Sequence, residues 1–142
     1  MSCILRIWGE KFNPEIAVAG VIITPDRIWH AGERRFPNSD NNLSMNKSSG
    51  VSFEISNAEF FELEKQIEEA TSFFNANYAW VAKLASSLGV EGAVADFGAE
   101  IVPPFWASYS FPPSLLNALS KSNVTLGLSL YPNDDDDSDV NA

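Results

Sequence analysis

The chain has 142 residues, 45% of them hydrophobic and 20% charged, with 19 acidic against 9 basic side chains and a net charge of −10. That length sustains one core without staples, and the composition is globular rather than disordered. Arg34–Arg35 is the only adjacent basic pair, so no cationic run exists for a nucleic-acid backbone, and the single cysteine, Cys3, excludes an internal disulfide or a thiolate cluster.

Residues 3–8 are β-branched and aromatic enough for a strand, with Ile4 and Arg6 on one face and Leu5 and Ile7 on the other. Arg6 interrupts that apolar stretch and no cleavage pattern follows, so a secretory leader is not expected. Asn13 and Pro14 form a cap and first position for a short helix that Gly20 stops. The apolar run 16–23 falls far short of the ~20 residues of a membrane span. A short strand over 26–31 is ended by Gly32, and the polar stretch 33–50 reads as a long loop. Residues 51–55 alternate as a clear strand.

A long amphipathic helix is expected over 56–88. Ser56 with Glu59 matches a capping box. Phe60, Leu63, Ile67, Ala70, Phe74, Tyr78, Val81, Ala85 and Leu88 form one apolar stripe, and Gly89 stands at the stop. The run 73–78, with two asparagines, is where a bend is expected. Further strands are expected over 90–97, 105–111 and 124–131, with a leucine-rich helix after Pro112–Pro113 burying Leu115, Leu116 and Leu119. The tail, 133–142, carries five aspartates within six residues and is expected to be disordered. The fold class is α+β: a mostly antiparallel sheet with the long helix across one face and one or two short helices, in one domain over 1–132. Two split β-α-β passes, 3–31 and 51–97, would make it loosely ferredoxin-like.

Trp8-Gly9-Glu10-Lys11-Phe12-Asn13-Pro14-Glu15-Ile16 and the stretch 23–33 together carry the pattern Phe-x-Pro-x-x-Ile, Ile-x-Pro and Trp-x-x-Gly. The chain thereby resembles the bacterial domain-of-unknown-function family 4279, except in the loop 38–48 and the tail. It departs from the pattern at Gly20-Val21-Ile22. The resemblance implies a small bacterial α+β protein and no catalytic residues. In size and acidity the chain is also similar in style to immunity proteins of toxin systems.

Chemistry is sparse. His30 is the only histidine, so a two-histidine metal site is excluded, although His30 with Asp26 or Glu33 could form an acid–base pair. Cys3 at the start of a strand reads as packing. No phosphate loop, dinucleotide motif or nucleophile elbow occurs, and no cofactor or metal is expected. Phe12, Trp29 and His30 could line a small-molecule pocket, or Phe12, Pro14, Trp29 and Gly32 could clasp the structure. Opposite the helix stripe lie Glu62, Gln66, Glu69, Phe73 and Trp80, where two large aromatics need either a covering loop or a partner. Phe105 and Trp106, bracketed by prolines, offer a second patch. The reading is a non-enzymatic, cytoplasmic protein-binding domain: an immunity protein that occludes a basic toxin such as a nuclease, with neither nucleic acid nor membrane as partner. The alternative is a small-molecule-binding or regulatory domain.

Overall fold

In a computed structural model of the chain, residues 2–35, 45–104 and 107–132 are described. Five strands form one sheet: β1 (Cys3–Gly9), β2 (Arg27–Trp29), β3 (Ser49–Ser56), β4 (Gly92–Ile101) and β5 (Thr125–Pro132). Their order is β2-β3-β1-β4-β5. β1 lies antiparallel to β3 and to β4, and β2 antiparallel to β3, while β5 runs parallel to β4. The first four strands thus make the two interleaved β-α-β passes of a ferredoxin-like sheet. The fifth is added through a helix, as a parallel neighbour requires.

Alternation decides which face of the sheet is buried. Cys3, Leu5 and Ile7 of β1, Val51, Phe53 and Ile55 of β3, and Ala93, Ala95 and Phe97 of β4 all enter the core. Three helices supply the other half. The first is α1 (Pro14–Val18), where the Asn13 side chain accepts from the Ile16 N–H and Pro14 fills the first turn. The long helix, α2 (Leu63–Ala85), runs unbroken and buries Ile67, Ala70, Phe74, Val81 and Leu84. The last, α3 (Pro113–Lys121), buries Leu115, Ala118 and Leu119.

Several expectations are corrected. The long helix begins at Leu63 rather than beside Ser56, because Ser56 is still a sheet residue: its carbonyl accepts from Ser2 N–H and its hydroxyl from Ala58 N–H. Asn77 does not break the helix, since its side chain donates to the Phe73 carbonyl and accepts from the Trp80 indole. Tyr78 is 45% exposed, Leu88 94% and Leu116 46%, so these three leave the expected core. Gly89 lies four residues beyond the last helical residue, in a left-handed turn (φ 86°), where an added Cβ would lie 2.5 Å from the Lys11 carbonyl oxygen. Residues 107–111 form no strand: the edge beyond β4 is taken by β5, and Phe111 instead packs on Phe97 with ring centroids 5.7 Å apart. Phe105, Trp106 and the acidic segment 133–142 lie outside the described residues. No helix among the described residues is long and apolar enough to cross a membrane.

Candidate functional site

The connection from β3 to α2 builds an acidic groove. After Ser56 the chain closes a turn, with Glu62 N–H donating to the Glu59 carbonyl at 2.9 Å and the Glu62 carboxylate accepting the Glu59 N–H at 3.2 Å. The turn has two aromatic residues in its middle, and only one finds cover. Phe60 stacks on Tyr131, with centroids 4.8 Å apart, and presses on Gly98. Phe61 is left 75% exposed. Glu62 stands at the N-cap of α2, and Glu64 and Glu68 follow on its first two turns. Together with Phe61, Lys65 and Tyr109 they line a cavity of about 730 Å³. Residues 59–69 hold five glutamates and one lysine. Glu64 suits its place in the first turn, where the helix dipole favours negative charge. An apolar anchor surrounded by solvated carboxylates is an arrangement that can dock a basic surface.

The residues expected to form the partner surface divide. Glu62 and Glu69 are half-exposed and remain at or beside this groove. Gln66 does not: it is fully buried, donating to the carbonyls of Glu59 (3.2 Å) and Gly98 (2.8 Å) and accepting the Gly98 N–H (3.3 Å). Phe73 and Trp80 are flank residues rather than outer ones. Trp80 packs edge-on to Phe53 at 5.4 Å and lies 6.1 Å from Phe73, and its indole N–H is satisfied by Asn77. A helix lying on a sheet has a buried arc wider than its apolar stripe, and the aromatic flanks complete it. Trp80 is covered by Phe53 of the sheet and borders a cavity with Phe12, Ala17 and Val21, while Phe73 packs on Phe74 and Trp80. In the described parts of the 33–50 loop, Asn46 bonds the backbone of Gly32 and Glu33, and Arg34 bridges to Met45.

Phe12, Trp29 and His30 do not share a pocket. Phe12 is buried in the core beside Pro14. Trp29 lies on the sheet face opposite the helices, against Gly50, and Gly32 turns the chain after it with φ 85°. His30 bonds Glu15 through Nε2 and approaches Glu33 through Nδ1 at 3.3 Å. The hydrogen bond it donates to the Glu15 carboxylate, seconded by that to Glu33, holds its pKa above the ordinary value. His30 thereby ties α1 to the end of β2. Asp26, its other expected partner, accepts the Glu54 N–H instead. Cys3 is fully buried, and burial, aided by the negative charge of Asp96, pushes its thiol up. It stays protonated and unreactive at neutral pH. Among the described residues no group of three or more His, Cys, Asp or Glu side chains is placed to hold a metal ion.

Phe61, Glu64 and Glu68 are the groove residues that the helical pattern passed over. Their signal was the helix start: once Glu62 rather than Ser56 caps α2, Phe61 lies outside the helix and cannot join its stripe. Comparison of the chain with family models, curated proteins and solved structures returns no match to any of them.

Proposed function

We propose that this chain is a non-enzymatic protein-binding domain that docks a basic protein on the acidic groove at the start of α2. Its most concrete form is a bacterial immunity protein that occludes a cationic toxin domain, such as a nuclease, in the cytoplasm. The observation that carries the reading is Phe61: a large aromatic side chain, 75% exposed, beside Glu62, Glu64 and Glu68. Carboxylates so placed steer a basic partner and speed the encounter, while the aromatic anchor sets the dissociation rate. Membership of family 4279, which the motif pattern alone suggests, would fit a small bacterial protein but add no partner.

The test uses the product of the gene adjacent to this chain's own, which this reading requires to be a basic toxin domain. The double variant Glu64→Lys/Glu68→Lys should slow association by roughly tenfold at low salt and by much less at high salt. Phe61→Ala should speed dissociation with no change in melting temperature, because an exposed ring contributes little to the core. Unchanged association rates in the double variant would remove the groove from the interface.

A further inference from the structure

The sheet face turned away from the helices carries a second arrangement, of opposite charge. Along β1 it presents Ile4, Arg6 and Trp8, and Trp8 lies between Gly50 of β3 and Gly92 of β4 in the strand register. Those glycines leave room for indoles to lie down on the sheet. A Cβ added at Gly92 would come within 2.4 Å of the Trp8 ring, and one at Gly50 within 2.2 Å of the Trp29 ring. Two aromatic side chains therefore pave the floor.

Cations line the walls. Arg6, Arg27, Arg35 and Lys47 all border one cavity of about 780 Å³ on this face, together with Trp29. They are four of the nine Lys and Arg residues in a chain of net charge −10. Arg27 lies over the Trp29 ring, 5.5 Å from its centroid. Two carboxylates, Asp26 and Glu54, border the same cavity against these four cations, and Asp26 accepts the Glu54 N–H. Asp96 binds Arg6 at 2.8 Å through one oxygen and the Ser129 hydroxyl at 2.7 Å through the other. A second cavity, of about 470 Å³, adjoins the first and shares Arg6 and Trp29 with it. Volumes of this order suit a small molecule.

We infer that this face binds a planar aromatic anion, its ring against Trp29 and Trp8 and its phosphate or carboxylate toward Arg27 and Lys47. The site lies on the opposite side of the sheet from α2 and stands or falls independently of the acidic groove.

Tryptophan fluorescence of the full chain, titrated with adenosine monophosphate and with nicotinate, tests it, because these two probes separate a phosphate ligand from a carboxylate one. Adenosine and nicotinamide serve as neutral controls. At least one anion should bind saturably, at least about tenfold more tightly than its neutral counterpart. Arg27→Glu/Lys47→Glu should weaken that binding by about tenfold or more, the loss expected for charge-assisted hydrogen bonds. Trp29→Phe should remove most of the fluorescence response. Circular dichroism should show each variant folded. Saturation by neither anion, equal binding of the neutral compounds, or an unchanged affinity in a folded Arg27→Glu/Lys47→Glu variant would each overturn the inference.

Discussion

Gln66→Leu separates the two roles that a glutamine on α2 could have. A surface contact would cost partner binding and leave stability alone, whereas the buried amide described above should cost stability. The loss can be traced bond by bond. Glu59 keeps a partner for its carbonyl, the Glu62 N–H at 2.9 Å, and the Gly98 N–H keeps the Ser2 carbonyl at 2.7 Å. The Gly98 carbonyl loses its 2.8 Å bond from Gln66. Gly98 lies one residue past Phe97, which is the last β4 residue registered with β1 at Cys3. No strand neighbour on that side replaces the donor. Leucine is close to glutamine in volume, so the packing term is small and one orphaned buried carbonyl dominates, at about 1–3 kcal/mol. For a chain of this length that lowers the melting temperature by roughly 4–10 °C. Thermal unfolding followed by circular dichroism measures it. A melting temperature within about 1 °C of wild type, well under the shift one lost bond gives, would refute the reasoning.

Two further outcomes follow from the ionisable groups. His30 is held above its ordinary pKa of 6.5 by Glu15 and Glu33. Its tie is therefore complete below pH 6.5 and released as pH rises through the raised folded value. Glu15 is held below its ordinary 4.5, by its own backbone hydrogen bond first and by His30 second, so its share is lost when pH falls through that lowered value. The imidazole resonances in an NMR titration should show a midpoint above 6.5 that Glu15→Gln lowers, and a midpoint at or below 6.5 in wild type contradicts the contact. Cys3 should resist a thiol-specific reagent in the native protein and react at once in denaturant. Rapid labelling of the folded chain would mean that the first strand is not packed as described.

The strands were the legible part of this sequence, because a half-buried sheet prints its two faces as alternation: Leu5 and Ile7 inside, Arg6 and Trp8 outside. The parallel direction of β5 was not legible, since alternation carries no strand polarity and the reversal is made by α3. The start of α2 was misleading for a definite reason. Ser56 and Glu59 have the right spacing for a helix cap, but β1 claims Ser56 first through Ser2, and the helix waits until Glu62. With the start displaced, the stripe included Phe60 and Tyr78, which lie elsewhere, against Tyr131 and beneath the Lys121 ammonium. It also set Gln66 outside, because nothing in sequence marks a glutamine whose partner is a strand carbonyl 32 residues away. The same limit hid the cationic face. Arg6, Arg27 and Lys47 are scattered along the chain, and only the pairing of β2, β3 and β1 brings them to one cavity.

The central proposal is that a basic protein docks on the groove around Phe61, and amide hydrogen exchange of the chain mixed with the product of the adjacent gene, which the proposal requires to be a basic toxin domain, tests it most directly. Binding should slow exchange over residues 59–69 and 107–110 and leave residues 27–30 and 45–52 unchanged. Protection confined to the 27–30 and 45–52 face, with the groove amides exchanging as freely as before, would contradict it.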